Sequence, residues 1–159
     1  MSQYKASVPE DVSLKSDIAS FFEAFYKISD TADAHEQYAD SFTRDGKLIM
    51  ASKETSGRQG MLYLLNFSRQ QKLIRGTSGI IEMRQGMWEK VAKRSHKPSK
   101  IYSFGKDNHD VMLHGTVDYE LKDGKRAEDI EWAARARFAA GDGGLRMEFY
   151  QVYLVSTTL

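Results

Sequence analysis

The chain has 159 residues, of which 41% are hydrophobic, and it carries a formal net charge of +1. This length suits one domain with its own core, over residues 1–159, and the balanced charge excludes a general attraction to nucleic acid or to an anionic membrane. There is no cysteine, so disulfides, cysteine-ligated zinc and thiol catalysis are excluded.

The beginning of the chain is typical of helices followed by a strand. Apolar residues recur at helical spacing from Ser13 to Ser29, which predicts an amphipathic helix. A shorter helix is predicted from Asp33 to Phe42, and a strand from Lys47 to Ser52 after the turn signal Asp45-Gly46. The first residues lack the apolar stretch of a secretion signal, and no window approaches the roughly 18 apolar residues of a membrane span. We therefore expect a cytoplasmic protein.

The middle of the chain is harder to assign by periodicity. Residues 57–76 are bounded by glycines and hold a compact apolar run, which favours a short helix continuing into a loop. This stretch is interpreted as an insertion, either a lid over a pocket or a long ordered loop. Helical spacing returns from Ile80 to Arg94, and the helix must end before Pro98, because proline disfavours the helical conformation of its predecessor. A strand is predicted from Ile101 to Phe104.

The second half, from His109 to Val155, reads as three consecutive antiparallel strands. They are joined by Asp123-Gly124 and by Gly141-Asp142-Gly143-Gly144, and a two-residue Asp-Gly turn fixes the register. This register predicts an apolar inner face made of Leu113, Gly115, Val117, Tyr119, Trp132, Ala134, Ala136, Phe138, Met147, Phe149, Gln151, Tyr153 and Val155.

The opposite face is mixed in character. It carries His114, and it sets Arg137 and Glu148 where they can pair across two strands. Because Met112, Val152 and Leu154 are also expected there, we interpret this outer face as a homodimer surface.

A cavity is expected on the inner face against Gly115, Ala134 and Ala136, because small residues leave a hollow in the middle of a sheet. Its polar groups would be Gln151, Tyr119 and Tyr153, with Trp132 as a flat wall, and this mixture is usual for small-molecule sites. The alternative is ordinary core packing, with the hollow closed by Phe22, Phe25 and Trp88.

The chain resembles the nuclear-transport-factor-2-like (NTF2-like) superfamily, and within it the SnoaL-like proteins common in filamentous fungi. The resemblance covers nearly the whole chain and is carried by 33–38 (DAHEQY), 42–45 (FTRD), 48–52 (LIMAS), Met87-Trp88 through 96–98 (HKP), 115–119 (GTVDY) and 132–136 (WAARA). It implies an α+β, cone-shaped fold, in which helices pack over the concave face of a curved, mostly antiparallel sheet.

Departures from the patterns of this superfamily narrow its possible reactions. Epoxide-hydrolase relatives place an Arg-x-Asp pair on an inner strand, where this chain has Ala134 and Ala136. Scytalone-dehydratase relatives use two pocket histidines, a helix-borne Asp and two tyrosines. His96 resembles the first of these histidines, but His114 is expected on the outer face and Ser29 stands near the position of the Asp.

His96, Tyr119 and Gln151 are the candidate catalytic residues. His96 is the best acid–base group by type, although its basic surroundings in 93–98 (KRSHKP) also suit a solvated histidine or a site for an anionic substrate tail. The expected substrate contacts are Phe22, Tyr26, Tyr38, Arg44, Met50, Trp88, Tyr102, Trp132 and Tyr153. No His, Asp and Glu spacing of a metal site is found, so neither a metal nor a cofactor is expected.

These observations lead to one functional hypothesis and one alternative. The hypothesis is a cofactor-independent isomerase- or cyclase-like protein, or a dehydratase-like one, acting on a hydrophobic secondary-metabolite intermediate. The alternative is a non-catalytic small-ligand carrier or dimeric interaction module. Nucleic-acid binding is unexpected, because the basic run lacks interleaved aromatic residues on an exposed sheet.

Overall fold

The described part of the chain combines three helices with one mixed sheet. The computed structural model describes residues 2–8, 10, 16–50, 72–139 and 144–154. Its helices are α1 (Ser16–Ser29), α2 (His35–Asp40) and α3 (Gly76–Trp88). Its strands are β1 (Phe42–Met50), β2 (Lys72–Arg75), β3 (Val91–Phe104), β4 (Asp110–Leu121), β5 (Arg126–Ala139) and β6 (Arg146–Leu154). The predicted α+β class is confirmed.

Within the described residues the sheet has six strands in the order β2-β1-β6-β5-β4-β3. The pairs from β3 to β6 are antiparallel neighbours in sequence, as the turn signals predict. The exception is β1, which lies parallel to β6 and pairs Leu48 with Tyr150. The two sheet edges are therefore β3 and β2, and the parallel junction of β1 with β6 lies in the interior of the sheet.

Helix α1 covers the inner face of the sheet with an aromatic stripe. Ile18, Phe22, Phe25 and Tyr26 are at most 2% exposed, because a spacing of three or four residues keeps them on one side of the helix. Phe22 meets Phe138 of β5 edge to face, with ring centroids 5.6 Å apart. This contact fixes the helix against the sheet by apolar burial.

Strand β1 starts five residues earlier than predicted, since Gly46 lies within it. The pairing of β1 with β6 shifts between Phe42 and Lys47, which marks a bulge. A Cβ built on Gly46 would lie 2.9 Å from Cβ of Phe42 and 3.2 Å from the carbonyl oxygen of Met147. The glycine therefore permits close packing within a strand instead of a turn before it.

The helix predicted up to Arg94 is wrong in its second half, because α3 ends at Trp88 and β3 begins at Val91. Pro98 lies inside this strand. Proline is tolerated there because β3 is an edge strand, and the pairing with β4 shifts just after it, between Pro98 and Lys100. The stretch predicted at 57–76 lies outside the described residues up to 71, and 72–75 form a strand instead of a loop.

The predicted inner face is confirmed on β4, on most of β5 and at Met147, but it is wrong on β6 beyond that residue. Phe138 pairs with Met147, whereas Arg137 pairs with Phe149, so the ladder contains a bulge. Because side chains alternate along a strand, this one-residue shift turns the rest of β6 over. Tyr150, Val152 and Leu154 thus face inward, while Phe149, Gln151 and Tyr153 face outward.

The hollow predicted at Gly115, Ala134 and Ala136 is filled. Both alanines are 0% exposed and belong to the apolar core. A Cβ on Gly115 would lie 2.3 Å from the carbonyl oxygen of Lys97, so this glycine is needed for the close approach of β3 and not for a cavity.

The outer face carries exposed ion pairs and some exposed apolar side chains. Arg137 and Glu148 pair across strands as predicted, with Nε and Oε1 2.7 Å apart. Met112 is exposed on this face as predicted, but Val152 and Leu154 are not on it. The homodimer stays a prediction.

Within the part of the chain that the structure describes, no helix is long and apolar enough to cross a membrane.

Candidate active site

A cavity lies between helices α1 and α3 and the inner face of the sheet. The centre of a water molecule can occupy about 40 Å³ inside it, so the space between the surrounding atoms is larger than this volume. Its wall is made of Phe25, Tyr26, Ser29, Tyr38, Met50, Arg84, Met87, Arg94, His96, Val117, Tyr119, Trp132, Tyr150, Val152 and Leu154. The site is thus mainly aromatic and aliphatic, with a few polar groups, as small-molecule sites usually are.

His96 and Asp30 form a close pair at this wall. His96 stands on β3, and Asp30 follows directly after the last residue of α1. Nδ1 of His96 is 2.6 Å from Oδ1 of Asp30, and the backbone N–H of His96 donates to Oδ2 at 2.7 Å. Asp30 therefore fixes both the ring and the backbone of His96, and Nε2 is the ring nitrogen that remains for a ligand.

The charge states of this pair follow from burial and hydrogen bonding. Burial lowers the pKa of His96 below its usual value, although the hydrogen bond and charge of Asp30 act in the opposite direction. For Asp30 burial would raise the pKa, but the hydrogen bond from His96 and the charges of His96 and Arg94 outweigh it and hold the pKa below its usual value. At neutral pH the pair is a neutral imidazole beside a carboxylate.

Two buried arginines converge on the end of helix α1. Arg84 of α3 donates from Nη1 to the carbonyl oxygen of Ser29 at 3.1 Å and from Nη2 to that of Ile28 at 3.0 Å, and also bonds the carbonyl of Thr31. Arg94 of β3 bonds the carbonyl oxygen of Ser29 and donates to its Oγ at 2.9 Å. These groups would otherwise be unpaired at the negative end of the helix dipole.

Arg84 remains charged at neutral pH. Burial, together with the nearby charge of Arg94, lowers its pKa to about 10. Each guanidinium also lies over the ring of Trp88, at 5.7 Å from the centroid for Arg84 and 4.9 Å for Arg94. Trp88 thus supports the arginines without lining the cavity.

Four tyrosines present neutral hydroxyl groups in this region. The hydroxyls of Tyr26 and Tyr150 are hydrogen bonded at 3.0 Å. Burial raises the pKa of both, and it also raises the pKa of Tyr38 and Tyr119. These phenols can therefore donate a hydrogen bond to a ligand oxygen at neutral pH.

The structure brings together part of the predicted site. His96, Tyr119, Tyr26, Tyr38, Met50 and Trp132 all line the cavity. Tyr119 pairs with Ala127 after a shift in the ladder of β4 and β5, and its side chain lines the cavity. His114 lies on the outer face as predicted, with its ring stacked on Tyr102 at 6.0 Å.

Other predicted site residues lie elsewhere. Gln151 and Tyr153 face outward because of the bulge between β5 and β6. Tyr102 is 48% exposed on the outer face, and Arg44 is exposed on β1. Phe22 and Trp88 are buried but do not line the cavity.

Sequence reasoning missed Asp30, Arg84, Arg94 and Tyr150. The family resemblance directs attention to Ser29 and not to its neighbour Asp30, although a carboxylate directly after a helix is a usable signal. Arg84 interrupts the apolar stripe Ile80, Met83, Met87, and this interruption indicates a buried charge. Among the described residues no group of three or more His, Asp or Glu is placed to hold a metal ion.

Comparisons with known proteins identify the fold only. No protein-family model matches the chain, and no curated protein is similar to it in sequence. Solved structures do match. A proposed aromatic ring hydroxylase from Novosphingobium aromaticivorans superposes with a TM-score of 0.65 at 15% identity, over 89% of this chain and 88% of that one.

Two further structures extend this result. A proposed scytalone dehydratase from Novosphingobium aromaticivorans has a TM-score of 0.62 at 14% identity, covering 89% of this chain and 84% of that one. An NTF2-like protein of unknown function from Burkholderia pseudomallei has a TM-score of 0.55 at 15% identity, covering 83% and 88%. The protein therefore has an NTF2-like fold, as the resemblance predicts, while function has to be argued from the site.

Proposed function

We propose that the protein is a cofactor-independent acid–base enzyme of the isomerase, cyclase or dehydratase type, acting on a small hydrophobic carbonyl compound. The observation that carries the proposal is the 2.6 Å pair of His96 Nδ1 and Asp30 Oδ1 at the wall of an otherwise apolar cavity. We also propose that the protein is related to the SnoaL-like proteins of filamentous fungi, and this part of the proposal rests on the sequence resemblance.

His96 is the general base in this proposal. A neutral imidazole whose Nδ1–H is donated to a carboxylate has its lone pair on Nε2, which accepts a proton from the substrate carbon next to the carbonyl. Asp30 stabilises the imidazolium that forms, so the buried charge is paired as it develops. Asp30 is thus a positioning residue and His96 a catalytic one.

The neutral phenols complete the proposed reaction. When His96 removes the proton, the electron pair moves onto the carbonyl oxygen, and a hydroxyl of Tyr119 or of the Tyr26–Tyr150 pair stabilises this oxyanion by hydrogen bonding. The imidazolium then returns its proton, to another carbon in an isomerisation or to a departing hydroxide in a dehydration. Neither route consumes an oxidant or a cofactor.

Proton exchange tests this proposal without knowledge of the natural substrate. The α-protons of cyclohexanone and 2-tetralone are followed by NMR in D₂O with the wild type, His96→Asn and the outer-face control His114→Asn. We expect exchange catalysed by the wild type and by the control, and a loss of about 10²-fold or more in His96→Asn. Catalysed exchange should increase with pH through a transition below the usual histidine pKa, since the neutral imidazole is the active form.

Equal exchange by the wild type and His96→Asn would contradict the proposal. The protein would then be a non-catalytic ligand carrier or interaction module, which is the alternative that the sequence leaves open.

A further inference from the structure

Two N–H groups in residues that line the cavity have no acceptor in the described part of the chain. Nε1 of Trp132 and Nε of Arg84 are both buried without a hydrogen-bond partner there, in residues that are 3% and 1% exposed. Buried donors are nearly always paired, because they lose their hydration on folding. These two donors therefore lack the acceptor that a ligand bound in the cavity would supply.

Part of the role of Arg84 is already explained by helix α1. Its two Nη groups bond the carbonyl oxygens of Ile28, Ser29 and Thr31. That capping does not involve Nε, and it does not involve Trp132, which stands on β5 with its ring centroid 5.8 Å from that of His96. The unpaired donors thus require a separate explanation.

The net charge of the described side chains around the cavity is positive, so it attracts an anion as the unpaired N–H groups do. Arg84 and Arg94 are two cations, and among the described residues Asp30 is the carboxylate that pairs with them, at 3.3 Å from Arg94. No Asp or Glu is among the described residues that line the cavity. An incoming anion would meet unpaired donors and surplus positive charge, since the single carboxylate of Asp30 offsets only one of the two cations.

We propose that the ligand of this cavity carries a carboxylate, bound by Nε1–H of Trp132 and by the guanidinium of Arg84. A carboxylate fits better than a neutral carbonyl group for two reasons. Its negative charge compensates the surplus positive charge of the arginines, and its two oxygens can accept hydrogen bonds from two donors. This inference rests on the proposed function and assigns the class of its substrate: a small carbonyl compound bearing a carboxylate.

Binding of benzoate, with benzamide as its neutral counterpart, tests the inference. The chain has two tryptophans, so two indole N–H signals are expected in the ¹H–¹⁵N NMR spectrum. Trp88 is the internal reference, because its side chain does not line the cavity, although its ring contacts the guanidinium of Arg84. We expect benzoate to shift the Trp132 signal downfield and to move the Trp88 signal by less.

The affinities complete the test. Benzoate should bind the wild type at least about tenfold more tightly than benzamide, which is about 1.4 kcal/mol. Trp132→Phe should weaken benzoate binding by about the same factor, whereas the outer-face variant His114→Asn should not. Arg84→Gln should abolish the preference for benzoate, and Trp132→Phe keeps the test decisive if that variant does not fold.

Three results would overturn the inference: no benzoate binding at millimolar concentration, equal affinity for benzoate and benzamide, or unchanged benzoate binding by Trp132→Phe. None of them involves His96, so they are separable from failure of the proposed function, which is measured by proton exchange in His96→Asn.

Discussion

Each side of the sheet has an ion pair between an aspartate and an arginine, but one pair is buried and the other is exposed to solvent. On the inner side, Asp30 and Arg94 have side chains that are 3% and 4% exposed. On the outer side, Asp110 and Arg135 form a pair at 2.7 Å with side chains that are 30% and 41% exposed. Distance alone would make the outer pair the stronger, but burial decides the energetic importance.

This difference in burial determines which charged residues can be replaced with little change in the free energy of unfolding. An exposed pair exchanges one hydrated state for another, so its net contribution is usually below about 1 kcal/mol. A buried pair has already lost its hydration, and removing one partner leaves the other charged and unpaired. The inner face is therefore the region where the fold and the site depend on the same atoms.

Replacing Asp30 with Asn should have the largest effect. It removes the negative charge that faces Arg94 and His96, and we expect a loss of about 3 kcal/mol in the free energy of unfolding. Urea denaturation measures this loss. The matched control on the outer face is Asp110→Asn, for which we expect a change below about 1 kcal/mol. Similar losses in both variants would break the comparison.

Substituting Gly115 with Ala should have an intermediate effect. The new Cβ would lie 2.3 Å from the carbonyl oxygen of Lys97 and 2.8 Å from Cα of Pro98. Since both neighbours are backbone, we expect a destabilisation of about 2 kcal/mol, by analogy with overpacked cores. Thr116→Ala, one residue along and on the outer face, should change stability by less than about 1 kcal/mol. Thermal unfolding of the two variants compares them, and a stable Gly115→Ala protein would show that β3 can shift.

A change of one pH unit should have the smallest effect on the free energy of unfolding. Because the pKa of His96 is lowered in the folded state, the unfolded chain takes up this proton first as the pH falls, and stability declines from about pH 6.5 downward. The lowered pKa of Asp30 adds a further decline below about pH 5, as its carboxylate is protonated more readily in the unfolded chain.

The slope expected from one proton is at most about 1.4 kcal/mol per pH unit. Urea midpoints between neutral pH and about pH 5 measure it, with His96→Asn as the test and His114→Asn as the control. The slope in this range should flatten in the first variant alone. A flattened slope in His114→Asn would instead place the acid sensitivity on the outer face.

Local signals in the sequence were sufficient for most of the fold. The stripe of α1 and the Asp123-Gly124 turn each involve neighbouring residues. The stripe is confirmed. The turn lies where it is predicted, but its loop spans 122–125, and the predicted register holds only from the Val117–Ile130 pair onward. The bulge near Phe138 is different, since it inserts a single unpaired residue and leaves the apolar alternation of β5 intact. Nothing in that pattern indicates that Gln151 faces outward and Tyr150 inward.

The site was harder to predict because its partners are distant in sequence. Arg94 and His96 lie in a basic run that suits a solvated segment, and Pro98 suits a helix end. Their burial becomes evident only when Asp30 and the carbonyl of Ser29 are placed beside them. A polar residue whose partner lies more than 60 residues away cannot be distinguished by local hydropathy from one that faces solvent.

The parallel pairing of β1 with β6 has a consequence for how the protein folds. Strands β3 to β6 can form by successive hairpins between neighbours, whereas Leu48 and Tyr150 are roughly one hundred residues apart when they pair. Closing so long a loop is slow, because its entropy is lost before the contact is gained. Met50 and Tyr150 come from these two strands and both line the cavity. We therefore expect the cavity to be completed in the last, rate-limiting phase of folding, after the hairpins have formed.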